Sequence, residues 1–221
     1  MRAAVIEDQT LVREFLTALL RRHCRVEEII GIGSMQELRA RERELDGVAL
    51  IVLDIDLGDG TTLDWALQRA AGGAAGAMVA VSSISGQFPF KKLQAGGISI
   101  AHKNDSEKEL VDVIQRALAG AVVISRRAME VINAGARDPN SPLKLLGPRE
   151  LQVLALLGQR LSNDEAAAVM GCAPATVADH RKRIMRKLEL HNIEQLIECA
   201  IRHGLVFDST AAEAKNRGLR P

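Results

Sequence analysis

Val48-Ala49-Leu50-Ile51-Val52-Leu53-Asp54-Ile55-Asp56 is the stretch on which the fold turns. Residues 48–53 are apolar without a break, and the run stops at a carboxylate. A strand with one wet face alternates polar and apolar residues. A continuous run instead fits a strand buried on both faces, as at the centre of a parallel sheet. Working outward, residues 3–6 and 26–31 read as two earlier strands. An amphipathic helix over 11–22 lies between them, with Phe15, Leu16, Leu19 and Leu20 on one face. Ser34 and Glu37 have capping-box spacing and open a second helix. On the other side, residues 77–81 and 98–101 are short apolar runs. Ser106 and Glu109 repeat the capping box and open a helix reaching about Ala119. Five strands alternating with helices predict an α/β doubly wound five-stranded parallel sheet.

Strand signals stop after Gly120. Residues 125–134 are helical at best, and Arg137-Asp138-Pro139-Asn140-Ser141-Pro142 interrupts any regular element. A purely helical block follows. Pro148 suits the first turn of a helix to about Gly158. Ser162 and Glu165 form a capping box for a short helix to Met170, and Gly171 can supply the turn. Pro174 opens a long helix to about Glu189. Asn192 and Gln195 cap a fourth helix, which Gly204 ends. The expected division is 1–122 for the α/β domain, 123–144 for a linker, 145–207 for an all-α four-helix domain, and 208–221 for a flexible tail.

The 221 residues, 47% hydrophobic and 26% charged, allow one large domain or two small ones and argue against wholesale disorder. The net charge of +1 names no partner, so a nucleic-acid site has to be a local basic patch. Three dispersed cysteines, Cys24, Cys172 and Cys199, form no C-x-x-C pair and read as ordinary thiols in a reducing compartment. No apolar run reaches the ~18 residues of a membrane span. The first residues turn acidic at Glu7-Asp8 and have no signal-peptide pattern, so a cytoplasmic protein without membrane partners is expected.

The chemistry-bearing residues gather at strand ends, where open α/β sheets bind ligands. Glu7 and Asp8 end the first strand, Asp54 the third and Ser82 the fourth, and Lys103 lies just past the fifth. Clustered carboxylates repel one another unless a cation neutralises them, and Mg²⁺ takes one or two carboxylates plus waters and phosphate oxygens. A hydroxyl and an ammonium would hold the other oxygens of a phosphoryl group. The set reads as a site for phosphoryl transfer onto a carboxylate.

Val5-Ile6-Glu7-Asp8, Val52-Leu53-Asp54, Val81-Ser82-Ser83 and His102-Lys103-Asn104 resemble, in order and spacing, the motifs of two-component receiver domains. The resemblance covers roughly residues 1–120. It implies that Asp54 is the phosphoacceptor and Asp8 a direct Mg²⁺ ligand. Glu7 would act on the ion through water, and the Asp56 carbonyl would complete the metal site. Ser82 and Lys103 would contact phosphoryl oxygens. Asp54-Ile55-Asp56 also resembles the D-x-D of haloacid-dehalogenase-like phosphatases. That family needs the motif at the end of the first strand, whereas here it ends the third.

The sequences 146–150, 161–165, 176–180 and 184–188 resemble the LuxR/NarL-type helix-turn-helix over about 145–206. Its short and long helices would be scaffold and recognition helices. Independently, residues 174–189 hold five cations and two anions in a chain of net +1. Val177, Ile184 and Leu188 form the apolar stripe, while Ala175, Ala178, Asp179, Lys182 and Arg186 fall on the exposed side. Thr176, Ala178, Asp179, Lys182, Arg183, Arg186 and Lys187 are therefore the DNA-contact candidates. Asp179 and Ala178 depart from the family's usual residues, and Ala173 replaces its usual capping Ser or Thr.

The resemblance implies a response regulator: phosphorylated by a separate histidine kinase, binding double-stranded DNA, and dimeric when active through the fourth helix, with Leu196, Ile197 and Ala200 either supplying that surface or, equally, in part filling the core. No enzymatic role is expected beyond self-phosphorylation from a donor and slow autodephosphorylation. The alternative is an atypical receiver that acts as a phosphorylation-independent interaction module beside a constitutive DNA binder. Two features bear on switching. Ile100 occupies the position where receivers usually carry a switching aromatic residue. Phe88-Pro89-Phe90 predicts a fourth receiver helix that is short, displaced, or begins only at Pro89.

Overall fold

The computed structural model describes residues 1–73, 76–83 and 86–206, so the tail expected at 208–221 lies outside them. The described residues form two compact units. Residues up to 83 with 90–130 make the first, and 86–89 with 131–206 the second.

The first unit runs β1 (Arg2–Ile6), α1 (Thr10–Cys24), β2 (Glu28–Ile32), α2 (Met35–Ala40), a 3₁₀ turn (Glu42–Leu45), β3 (Leu50–Leu53), β4 (Asp56–Leu57), β5 (Gly60–Thr61), α3 (Leu63–Ala71), β6 (Ala77–Ser82), α4 (Gln87–Ala95), β7 (Ser99–His102) and α5 (Glu107–Leu118). Five strands make one sheet in the order β2-β1-β3-β6-β7, every pair parallel. All four residues of β3 are buried, as its unbroken apolar run requires of a central strand covered on both faces. In register, Leu53 lies beside Ile6 of β1 and Ala80 of β6, so Glu7, Asp54 and Ser82 emerge at neighbouring strand ends. The order reverses at β1 and β3, and the site sits outside that switch point.

Local signals set most helix starts. On α5 both halves of the capping box form between Ser106 and Glu109. On α2 only half does. Ser34 Oγ accepts from the Glu37 amide at 3.0 Å, while the Glu37 carboxylate accepts from Gly33 N–H at 2.8 Å. Leu16, Leu19, Leu20 and Cys24 make the buried stripe of α1. Phe15, expected on that face, is 46% exposed. At about 100° per residue it lies roughly 100° from Leu16, at the margin of a stripe that leans toward Leu20 and Cys24.

The segment 123–144 holds regular structure. Residues 123–125 run along the edge strand β7: Ile100 N–H donates to the Val123 carbonyl and Ser125 N–H to the Ile100 carbonyl, each at 2.8 Å. Then come α6 (Arg126–Arg137) and α7 (Pro142–Leu145). The division between the units falls inside α6, between Glu130 and Val131. The helix α4 is short, at nine residues, and carries Pro89 in its first turn, where a missing N–H removes no helical bond. Phe90 and Ile100 are fully buried. Residues 86–89 group with the second unit.

The second unit continues with α8 (Pro148–Gly158), α9 (Asn163–Met170), α10 (Pro174–Lys187) and α11 (Ile193–Arg202). Val153, Leu154, Leu157, Ala166, Val177, Ile184, Leu196 and Ala200 form its core. Gly171, at φ +63°, ends α9 in the left-handed conformation that turns the chain toward α10. Of the two roles open to the apolar face of α11, the core one holds. Leu196, Ile197 and Ala200 are 0%, 8% and 0% exposed, so they fill this chain's own core rather than a free surface. A four-helix block this small needs the apolar face of α11 to cover α8. Among the described residues no helix is long and apolar enough to cross a membrane.

Candidate functional site

The carboxyl ends of β1 and β3 place three carboxylates together. One oxygen from each of Glu7, Asp8 and Asp54 lies within 4.8 Å of the others. Glu7 is 0% and Asp54 5% exposed. Lys103, in the turn after β7, closes the cluster, with its Nζ 2.6 Å from Asp54 Oδ2 and 2.8 Å from Glu7 Oε2. Other contacts hold the frame. The Ile55 amide donates to Asp54 Oδ1 at 2.7 Å, and Thr62 Oγ1 donates to the Asp54 carbonyl at 2.6 Å. Arg13 Nη1 donates to the Glu7 carbonyl at 2.5 Å, and the Gly58 amide donates to Asp8 Oδ2 at 3.2 Å.

One lysine does not balance this charge. Burial pushes Glu7 up to about 7, the neighbouring Asp54 charge adds to the rise, and Lys103 only partly offsets it. Burial also raises Asp54 against the pull of Lys103. Burial would lower Lys103, but the Asp54 and Glu7 carboxylates outweigh it and its ammonium form is favoured. Asp8 Oδ1 is enclosed and has no hydrogen-bond donor. Buried, mutually repelling oxygens with an orphaned acceptor among them suit a hard divalent cation.

In the second unit, α10 buries Val177 and Ile184, with Leu188 just beyond, and turns Thr176, Asp179, Lys182, Arg183 and Arg186 to solvent. Ala178, expected on the exposed side, is half-buried because it lies on the same flank as half-buried Met185. Lys187 Nζ is 2.7 Å from Glu150 Oε2, which ties α10 to the first turn of α8. Lys187 and the Gly147 amide together hold the Glu150 carboxyl below its usual range.

The model for "Bacterial regulatory proteins, luxR family" matches residues 144–200, the segment carrying α8 to α11. The chain is also similar to the response regulator UvrY of Escherichia coli K12. They are 24% identical over 206 residues, covering 91% of this chain and 94% of UvrY. The chain is a receiver domain joined to a LuxR-type helix-turn-helix. A putative transcriptional regulator of Pseudomonas aeruginosa is 33% identical over 121 residues, 54% of this chain, and the matched segment spans 58% of that relative's length. Among solved structures, RcsB of Salmonella enterica serovar Typhimurium, bound to promoter P1flhDC with the phosphomimetic BeF3-, superposes with a TM-score of 0.62. It is 15% identical and covers 91% of this chain and 98% of RcsB. That likeness carries the fold.

In the receiver, the structure assembles Glu7, Asp8, Asp54 and Lys103 into one cluster. Ser82, 1% exposed, ends the strand beside β3, and its carbonyl accepts from the Lys103 amide at 3.0 Å. Asp56 is exposed at the start of the small β4–β5 hairpin. Two contributors escaped the sequence reading. Thr62 is a buried hydroxyl eight residues from the carbonyl it holds, and no local pattern marks it. The hairpin had a visible signal in Gly58-Asp59, the two-residue turn between Leu57 and Gly60. In the helix-turn-helix, the candidate DNA residues share α10, and Lys187 alone among them is held in an ion pair.

Proposed function

We propose that this response regulator accepts a phosphoryl group on Asp54 of its receiver domain and thereby controls promoter binding by its helix-turn-helix. The observation that carries the reading is the buried Glu7–Asp8–Asp54 cluster closed by Lys103. Asp8, Asp54 and the Asp56 carbonyl would hold Mg²⁺, with Glu7 acting through water. When bound, the ion would neutralise the carboxylates and the charge on the transferring group. An Asp54 oxygen attacks the phosphorus of a phosphohistidine or small phosphodonor, and the bond from phosphorus to the departing group breaks. Lys103 stays within reach of the phosphoryl oxygens, and Ser82 supplies a hydroxyl from the adjacent strand end. The Ile55 amide and the Thr62 hydroxyl keep the acceptor carboxylate in place. Beyond this self-phosphorylation and slow loss of the group, no turnover is assigned.

The reading takes 1–122 as receiver, 123–144, which holds α6 and α7, as connection and 145–207 as DNA reader. On α10, Lys182, Arg183 and Arg186 would meet phosphates or base edges. Thr176, Ala178 and Asp179 would lie nearest the bases, and Lys187 would bind DNA only by leaving Glu150. The partners are a histidine kinase, double-stranded DNA and a second copy of the chain, in the cytoplasm. Because Leu196 and Ala200 are core residues, the dimer contact on α11 would use exposed residues such as Ile193.

Incubation with a small phosphodonor and Mg²⁺, followed by intact mass, tests the reading. One stable phosphate adduct on the wild type and none on Asp54→Asn is the expected result. No adduct on the wild type favours a phosphorylation-independent module, and steady consumption of donor a phosphatase.

A further inference from the structure

Asp59 lies outside the acidic cluster, yet its carboxylate spans two elements. Its Oδ1 accepts from the Met35 amide at 2.7 Å and its Oδ2 from the Gln36 amide at 2.9 Å. These are the first two amides of α2, which have no partner within the helix itself. Asp59 sits in the turn of the β4–β5 hairpin, directly after Gly58, whose amide donates to Asp8 Oδ2. Asp56, whose carbonyl is the remaining ligand candidate, opens the same hairpin. The hairpin also presses on α2 at a second point. Gly60 adopts φ +153°, and a Cβ there would come within 3.2 Å of Met35 Cγ. The helix it grips is braced from below, with Glu37 on Gly33 N–H and Arg41 Nη1 on the Gly31 carbonyl at 3.0 Å.

We infer that Asp59 is a positioning residue for the cation site: by clamping the hairpin to the start of α2, it fixes the Gly58 amide that orients Asp8 and the Asp56 carbonyl beside it. The inference rests on reading Glu7, Asp8 and Asp54 as a Mg²⁺ site. Supporting residues of this kind typically alter metal affinity about 10–100-fold.

Ser34 offers an internal control. Its hydroxyl caps the same helix through the Glu37 amide but makes no hydrogen bond to the described residues of the hairpin. Removing either cap weakens the start of α2 to a similar degree. Only the loss of Asp59 frees the metal loop. The experiment is isothermal titration of the full chain with MgCl2 for wild type, Asp59→Ala, Asp59→Asn and Ser34→Ala, with urea unfolding of each followed by Trp65 fluorescence. Asp59→Ala is expected to weaken Mg²⁺ binding about tenfold. Asp59→Asn, which keeps one acceptor oxygen, recovers part of the loss, and Ser34→Ala binds as wild type does. Equal affinities for Asp59→Ala and wild type, or equal losses in Asp59→Ala and Ser34→Ala, overturn the inference. A wild type that takes up no Mg²⁺ overturns the cation site itself, and the positioning role with it.

Discussion

Replacing Glu7 with Gln should stabilise the metal-free receiver at pH 8 and leave it almost unchanged near pH 4.5. Glu7 is fully buried, and burial with the Asp54 charge raises it from 4.5 to about 7. The folded chain therefore keeps this proton to a higher pH than the unfolded chain does. Stability falls as pH rises through that window, and the penalty is complete above about pH 7. A shift of about 2.5 units at 1.36 kcal/mol each comes to about 3 kcal/mol. Gln cannot ionise, and its Oε1 can still accept from the Gln9 amide as Glu7 Oε1 does at 3.1 Å. The assay is urea unfolding in EDTA at several pH values, read by fluorescence of Trp65. That residue is the single tryptophan of the chain and lies on α3, so it reports the receiver. Wild type should lose stability relative to Glu7→Gln progressively between pH 5 and 8, and Mg²⁺ should restore wild type at pH 8. If the two proteins change in parallel across that range, the buried-charge account of the site is wrong.

The DNA reader invites two further tests. Lys182→Ala should weaken specific binding by about 1–3 kcal/mol if Lys182 meets a base edge, whereas Arg186→Ala, if Arg186 meets a phosphate, should lower the salt slope by about one unit. Footprinting and fluorescence anisotropy at several salt concentrations separate these outcomes. Glu150 is held below its usual range by Lys187 and the Gly147 amide, so its contribution is present above about pH 4.5 and is lost as pH falls through the depressed value. Glu150→Gln should cost the helical domain about 1 kcal/mol at neutral pH and flatten its acid transition, as followed by circular dichroism.

Much of the fold was legible because its determinants are local. The apolar run at 48–53 has to be a doubly covered strand wherever it lies, and the Ser106–Glu109 and Ser162–Glu165 boxes start helices from residues three apart. The convergence of Glu7, Asp8, Asp54 and Lys103 was legible too, since motifs at successive strand ends must come together once the strands run parallel. The 3.6-residue period was a weaker guide. It told that α1 and α11 are amphipathic, but not how wide the covered stripe is. The period puts Phe15 on the covered face although it is 46% exposed, and it leaves open whether Leu196 and Ala200 meet a partner or, as they do, fill the core.

By itself, then, the sequence determined the strand and helix types, the order of the two folds and the residues that end each strand, because these depend on neighbours two to four positions away. Tertiary structure alone decided which groups touch. Lys103 reaches Asp54 across 49 residues, Lys187 reaches Glu150 across 37, and Asp59 reaches Met35 across 24. Such pairings follow from how the layers pack and where the sheet edge is covered. A carboxylate's partner, its burial and its proton affinity are properties of that packing, and no short stretch of chain contains them.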